Sequence, residues 1–194
     1  MVELISYPAL SKNLVLIGGR GSGKSSLAKR LARENRNFIL FSLDALIRYE
    51  AEGAPIPEIV AREGWAGFRA RELAVVEKVA AIAGGALVDT GGGVVVELDR
   101  DGRERYSARK VDALRRHGRI VYLHRTIDYL LQRIERDDSR PPLSDGVTFR
   151  QIMKRRDPWY RRAADHVIEC GTRSKTELTR EVLSWFYRDQ KIAS

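Results

Sequence analysis

The chain has 194 residues, which suits one domain with a full hydrophobic core. Apolar residues make up 43% and charged residues 31%, an ordinary soluble globular composition. No apolar run approaches the roughly 20 residues that a membrane helix needs, so the sequence excludes a membrane-spanning protein.

The compartment is indicated by the chain start and by cysteine usage. Residues Met1–Leu4 lack the basic and apolar regions of a signal peptide. Cys170 is the single cysteine, so no internal disulfide can form. We therefore expect a cytoplasmic protein. We also expect a monomer without a membrane partner.

The net charge of +9 has two competing explanations, nucleic-acid binding or a pocket for small polyanions. Many basic residues cluster between Arg133 and Arg162. The chain shows neither zinc-ligand spacing nor an aromatic-interleaved basic stretch of the RNA-binding kind. We expect no nucleic-acid partner, and a pocket for ATP with an acidic substrate is the preferred explanation.

Strand patterns alternate with helical patterns along the chain. Strands are predicted at 13–17, 38–41, 86–88, 120–123 and 166–169, and helices at 25–35, 66–83, 107–117, 127–137 and 175–188. This alternation predicts an α/β fold with a parallel sheet and helices on both faces. Ligands of such sheets bind at the carboxyl ends of the strands.

The first strand leads into a glycine-rich turn with the spacing Gly18-x4-Gly23-Lys24-Ser25, which fits a phosphate-binding loop. Glycines let backbone N–H groups curl round phosphate oxygens, and the following helix directs its positive end at the same anion. Lys24 can reach the β- and γ-phosphates, and the Ser25 hydroxyl can bind Mg²⁺. The residues expected to hold ATP are Gly19, Gly21, Ser22, Gly23, Lys24, Ser25 and Ser26.

Asp44 follows the second strand and has two possible roles. A carboxylate at the strand end could accept the proton of an attacking hydroxyl, as phosphoryl transfer to an alcohol requires. Asp is also favoured as the N-cap of a helix, here over 45–50. The residues alone do not separate these readings.

A proline- and glycine-bearing insert then leads into a long helix. Arg69 and Glu72 lie three residues apart on it, so they can pair. The pair is either a surface ion pair, or Glu72 holds Arg69 in place to bind a substrate carboxylate. Trp65 is expected to border the substrate pocket.

The third strand ends in Asp89-Thr90-Gly91-Gly92-Gly93. Three consecutive glycines are costly in backbone entropy, which indicates close approach of the main chain to a ligand. Asp89 closes the apolar run, as a Mg²⁺-linked aspartate does in many phosphate-loop enzymes.

The polar segment at about 137–148 is typical of a mobile lid. Its Arg140 could move onto the transferring phosphoryl group, or it could be a solvated loop arginine. A basic cluster, Lys154–Arg156, follows the lid.

Taken together, these motifs resemble the shikimate kinase family over roughly residues 12–188. The resemblance rests on the phosphate loop at 18–25, Asp44 with Ile47, Glu63-Gly64, Phe68-Arg69 with Glu72, Thr90–Gly93, Arg140-Pro141 with Leu143, and Arg156 with Pro158 and Tyr160. It implies a three-layer α/β/α sandwich with a central five-stranded parallel sheet. One kinase domain would span 1–194, with a substrate-binding insert at about 44–72.

The family's reaction is transfer of the ATP γ-phosphate to the 3-hydroxyl of shikimate, within aromatic amino-acid biosynthesis. The resemblance implies that Asp44 is the base and that Arg69 and Arg156 hold the shikimate carboxylate. Gly91, Gly92 and Gly93 would contact the substrate and the γ-phosphate. The roles of Asp44 and Arg69 agree with the chemistry that the residues themselves indicate.

On the nucleotide side, the resemblance implies that Arg140 is the lid arginine and that Arg133 stacks on adenine. One departure concerns magnesium. The family usually has a Mg²⁺-linked aspartate two residues before the substrate aspartate, where this chain has Ser42. We expect Asp89 to substitute, because its strand end should lie beside that of Ser42.

Two other functions stay open at this point. A related phosphate-loop kinase acting on gluconate or a nucleotide would keep the loop but need other acceptor residues, whereas Arg69 with Arg156 favours a monocarboxylate. A non-catalytic ligand-binding or regulatory module is the second alternative, and Ser42 is the feature that supports it.

Overall fold

A computed structural model describes residues 10–134 and 147–188. The strands are β1 (Asn13–Ile17), β2 (Ile39–Ser42), β3 (Ala86–Asp89), β4 (Val96–Leu98), β5 (Glu104–Tyr106), β6 (Gly118–His124) and β7 (His166–Glu169). The helices are α1 (Lys24–Glu34), α2 (Leu43–Glu50), α3 (Ile56–Ala80), α4 (Ala108–His117), α5 (Ile127–Ile134), α6 (Phe149–Ala163) and α7 (Lys175–Arg188).

Five strands form one parallel sheet in the order β2-β3-β1-β6-β7. All five were expected from the sequence, and the parallel arrangement is confirmed. In this order β1 lies between β3 and β6, so the loop after β1 is adjacent to the turn after β3. The sheet topology therefore brings the phosphate loop and the three glycines together.

Side-chain alternation in β1 explains why the fold has three layers. Val15 and Ile17 face one core, shared with α2, α3, α4, α5 and α6. Leu14 and Leu16 face a second core, shared with α1 and α7. Because both faces of the central strand are apolar, helices must cover both sides of the sheet. None of the described helices is long and apolar enough to span a membrane.

Three elements were not predicted. Strands β4 and β5 form an antiparallel hairpin apart from the main sheet, and α6 follows the expected lid. Thr148 begins α6 with a reciprocal capping pair to Gln151, a signal that the sequence contains. The many arginines and Pro158 obscured the helical pattern of α6.

The predicted helix at 66–83 also needs correction. The helical run starts at Ile56 and ends at Ala80, with an interruption at Gly64, whose φ is +69°. Only glycine adopts this left-handed conformation without strain. The break at Gly64 reorients the chain, and the segment that follows it carries Arg69 and Glu72 into the interior.

Candidate active site

The phosphate loop has the backbone that its glycines predict. Gly18, Gly21 and Gly23 all have positive φ values, and α1 begins immediately afterwards at Lys24. The buried Lys24 ammonium donates to the carbonyl oxygens of Gly18 and Gly19, at 2.8 and 3.1 Å. The loop thus curls round its own lysine, which places a positive charge beside the helix N-terminus.

A cavity opens over this loop, which we call the phosphate cavity. Among its lining residues are six that the sequence assigned to ATP: Gly21, Gly23, Lys24, Ser25, Ser26 and Arg133. The other two do not line it. A Cβ at Gly19 would lie 2.6 Å from Met153 Cε of α6, and the buried Ser22 accepts a hydrogen bond from Lys24 at 3.4 Å.

A second cavity, the acceptor cavity, lies beside the glycine turn. It is lined by residues of α2, α3, α6, the turn and the loop: Arg20, Asp44, Ile56, Trp65, Phe68, Arg69, Glu72, Gly91, Gly92, Gly93, Phe149, Met153 and Arg156. The lining is apolar except for a few charged side chains, as small-molecule sites usually are. Trp65 borders this cavity as predicted.

Each glycine of the turn makes room for a different neighbour. A Cβ at Gly91 would lie 2.8 Å from Asp44 Oδ1, and one at Gly92 would lie 3.0 Å from the backbone nitrogen of Arg20. A Cβ at Gly93 would overlap the guanidinium of Arg69. The turn therefore approaches the side chains and the loop that build the site closely, and its approach to a ligand stays a prediction.

Arg69 is buried and held by its own helix. Its Nη1 donates to Glu72 Oε2 at 2.9 Å, and the guanidinium lies 5.4 Å from the ring centroids of both Trp65 and Phe68. The Arg69 Nε has no hydrogen-bond partner within the described part of the chain. Of the two readings, the structure excludes the surface pair, since Glu72 is only 1% exposed.

Arg156 reaches the same cavity from α6 and is 2% exposed. Its Nε and Nη2 form an ion pair with Glu104, a residue of the hairpin strand β5. Its Nη1 lies 3.4 Å from the carbonyl oxygen of Gly92, which also accepts a hydrogen bond from the Tyr160 hydroxyl. Burial alone would raise the pKa of Glu104, but Arg156 and Arg155 outweigh it and hold that pKa below its ordinary value.

Asp44 lies in the first turn of α2, and it is not the N-cap. Ser42 caps the helix, since its Oγ accepts from the Ala45 N–H at 3.4 Å. The capping alternative for Asp44 is therefore wrong. Asp44 lines both the acceptor cavity and the phosphate cavity, and Gly92 is shared in the same way. The two cavities meet at these residues.

Asp89 and Ser42 are direct neighbours across the β2–β3 ladder. Both line a further cavity together with Ser25, and Asp44 reaches it as well. Asp89 is 7% exposed. The described residues contain no group of three acidic, histidine or cysteine side chains that could hold a metal. One hydroxyl and one carboxylate at the edge of a phosphate cavity nevertheless suit Mg²⁺, which is usually held by one or two carboxylates, phosphates and water.

Arg140 lies outside the described residues, as does the expected lid up to residue 146.

Two residues that matter to the site were not predicted from the sequence. Glu104 pairs with Arg156, and Lys110 of α4 pairs with Glu72 at 2.6 Å.

Comparison with known proteins places this site in a family. A family model described as shikimate kinase matches residues 20–187. The chain belongs to the shikimate kinase family. The resemblance of the motifs is thereby confirmed, and with it the expected class of enzyme, an ATP-dependent kinase acting on an alcohol group.

Individual members of the family match over nearly their whole length. The chain is 39% identical over 173 residues to a shikimate kinase of Leptospira biflexa, covering 89% of this chain and 94% of that protein. It is 38% identical over 174 residues to one of Pseudomonas paraeruginosa, covering 88% and 94%. The solved shikimate kinase of Acinetobacter baumannii in complex with shikimate has a TM-score of 0.76 at 31% identity, covering 90% and 92%.

Proposed function

We propose that this protein transfers the γ-phosphate of ATP to the 3-hydroxyl of shikimate, giving shikimate 3-phosphate and ADP within aromatic amino-acid biosynthesis. The observation that supports this most directly is the position of Asp44. It lies where the acceptor cavity meets the phosphate cavity. A carboxylate there can contact an acceptor hydroxyl and face the nucleotide's terminal phosphate.

The acceptor cavity offers two arginines for one carboxylate. Arg69 and Arg156 enter from different helices, and each guanidinium is buried. A planar guanidinium binds a carboxylate through two parallel hydrogen bonds, and the Nε of Arg69 is a buried donor suited to such a bond. Gly91, Gly92 and Gly93 form the wall between this carboxylate end and the phosphate loop.

In the proposed reaction the acceptor oxygen bonds to the γ-phosphorus while the bond from that phosphorus to the β–γ bridging oxygen breaks. Asp44 accepts the proton of the hydroxyl. Lys24 stabilises the charge on the β- and γ-phosphates, and Arg140 does so from the lid. The loop that positions Lys24 is shaped by Gly19, Ser22 and Ser26. Arg133 lies close to Gly21 and would contact adenine.

We propose Ser25 and Asp89 as the residues that hold Mg²⁺, with Asp89 in the role that the family usually gives to the position of Ser42. Bound Mg²⁺ would neutralise phosphate charge. The adjacent strand ends of β2 and β3 support this exchange, because an acidic side chain at either position faces the same cavity.

Other expectations stay predictions. These are one kinase domain over 1–194, a lid at 137–148, a cytoplasmic monomer, and the absence of nucleic-acid or membrane partners. The single cysteine supports the reducing compartment.

A coupled assay of ADP release tests the proposed function. The protein with Mg-ATP is offered shikimate, gluconate or a nucleoside monophosphate in parallel. Turnover with shikimate and a rate at least about 100-fold lower with the others is the expected result. Preference for gluconate or a nucleotide would overturn the acceptor assignment. Binding of ATP and shikimate without ADP release would instead support the non-catalytic module.

A further inference from the structure

Lys110 is a buried lysine that the proposed reaction does not use. It lies on α4, is 2% exposed, and belongs to neither cavity lining. Its Nζ donates to Glu72 Oε2 at 2.6 Å, to the carbonyl oxygen of Val96, and to that of Gly93 at 3.4 Å. All three partners are acceptors, so the geometry fits an ammonium with three N–H donors and not a neutral amine.

Glu72 is shared between two cations. The same oxygen, Oε2, accepts from Lys110 and from Arg69. Burial alone would raise the pKa of the Glu72 carboxyl, but Lys110 and Arg69 outweigh it and hold that pKa below its ordinary value. Burial lowers the pKa of Lys110, and Glu72 works in the opposite direction. The single negative charge of Glu72 is therefore shared between Arg69 and Lys110, so Glu72 does not fully neutralise Arg69.

The charges at this end of the cavity do not cancel. We define the carboxylate-end cluster as Arg69, Glu72, Glu104, Lys110 and Arg156. Three buried cations face two carboxylates, which leaves one positive charge. Arg20 and Asp44 also line the cavity but carry opposite charges, so they leave this balance unchanged. Glu97 also attracts Lys110, but it pairs with Arg105 at 2.8 Å, and these two charges offset each other. Arg155, which pairs with Glu104 as well, is 40% exposed and screened by solvent.

We propose that Lys110 is a positioning residue that sets the carboxylate-end cluster to a net charge of +1 and thereby selects a singly charged carboxylate acceptor. The inference rests on the proposed function, since it names how the same site recognises its acceptor. An uncompensated charge in a buried site is costly, and one substrate carboxylate removes that cost. A neutral acceptor leaves the positive charge of the cluster uncompensated, and a dicarboxylate replaces it with an uncompensated negative charge.

The test uses equilibrium binding to the full chain, with shikimate and its primary amide as the two probes. The amide keeps the ring and hydroxyls but carries no charge. For Lys110→Met, we expect the preference for the acid over the amide to fall by about 10- to 100-fold, as loss of one nearby charge implies. A general packing defect would weaken both probes equally and leave the preference unchanged, and that outcome would overturn the proposal.

Lys78→Met is the matched control. Lys78 also pairs with a glutamate, Glu50, at 2.7 Å, but it is 64% exposed on the outer surface of α3. We expect the Lys78→Met variant to prefer the acid over the amide as strongly as the wild type does. An equal loss of preference in both variants would show an effect of net protein charge and would contradict the role of Lys110.

A double variant covers the case in which Lys110→Met does not fold. Lys110→Met combined with Glu72→Gln removes one cation and one carboxylate, so the cluster keeps its charge of +1. We expect its preference to lie within about fivefold of the wild type, and a loss above tenfold would overturn the proposal. ADP release by the wild type is measured alongside. If the wild type does not phosphorylate shikimate, the proposed function fails; if it does and the preference is insensitive to Lys110, only this inference fails.

Discussion

The two halves of the site are built in opposite ways. The phosphate cavity is formed mainly by one continuous loop, in which Lys24 bonds to carbonyls five and six residues away. The acceptor cavity is assembled from side chains that are distant in the chain. Arg156 meets Glu104 across 52 residues, and Lys110 meets Glu72 across 38. The phosphate cavity is therefore built mainly by backbone groups, and the acceptor cavity is held together by buried ion pairs.

This difference separates general from specific recognition. A loop of N–H groups binds any phosphate chain, because it contacts only the phosphate oxygens. Buried guanidinium groups instead bind a carboxylate that lies at one particular position. Changes in the acceptor half should therefore alter KM for the acceptor, whereas changes where the halves meet should alter kcat.

The largest effect is expected at the meeting point. Asp44→Asn removes the proton acceptor while keeping the shape of the side chain, so kcat should fall by about 10²- to 10⁴-fold. Binding of ADP and of shikimate should change by less than about fivefold. Single-turnover kinetics measures the chemical step directly. A near-normal kcat would remove Asp44 from the role of base.

The acceptor half alone should respond to Arg69→Ala. Loss of the charged hydrogen bonds to a carboxylate costs on the order of 2–4 kcal/mol, seen mostly as a higher KM for shikimate. Gly93→Ala should produce a comparable KM effect, since the new Cβ would displace the Arg69 guanidinium. Steady-state kinetics of both variants and of their combination checks this. The two effects should not add, and full additivity would show that Gly93 acts independently of Arg69.

The metal assignment makes a smaller and separable prediction for the phosphate half. Asp89→Asn should weaken Mg²⁺ binding about 10- to 100-fold, measured as the Mg²⁺ dependence of ADP binding by calorimetry. Adding Ser42→Asp to that variant should restore much of the affinity, because the two positions are ladder neighbours. Unchanged Mg²⁺ dependence in Asp89→Asn would contradict the assignment.

The smallest effect concerns pH and stability in the acceptor half. The pKa of Glu104 is lowered in the folded chain. The contribution of Glu104 to the free energy of unfolding is therefore present above pH 4.5, the ordinary pKa, and is lost as the pH falls toward the lowered pKa. Glu104→Gln should cost about 1–3 kcal/mol at pH 7 and lose less stability than the wild type on acidification. Urea unfolding at pH 7 and at pH 4 measures both. Parallel pH profiles would contradict the Arg156–Glu104 account.

The contrast also explains what the sequence could predict. The β1–α1 loop, the five parallel strands and the Arg69–Glu72 pair depend on local spacing, and the structure confirms their placement. The Ser42 cap of α2 was missed because Asp44 is an equally good capping residue by type. The bounds of β1, β7 and α7 match the prediction, and the largest difference, ten residues, is at the start of α3, where prolines and glycines interrupt the helical pattern.

Glu104 and Lys110 were missed because their partners are far away in the chain. A signal for Lys110 existed, as it shares a helical face with the buried Ala113 and Leu114. For the hairpin that carries Glu104, Asp101-Gly102 is a turn signal between two short strand patterns. Neither signal names a partner, because contacts over 38 or more residues depend on how the sheet and helices pack.

The most direct test of the central claim, that phosphate passes between the two cavities at Asp44, is ³¹P NMR of shikimate with Mg-ATP. With the wild type we predict one new monoester resonance, coupled to the proton on carbon 3 of shikimate, growing as the ATP γ-phosphate signal decays. With Asp44→Asn, at equal occupancy of both ligands, that resonance should be absent on the same timescale. Phosphate released as inorganic phosphate, or a monoester formed equally fast by the variant, would contradict the account.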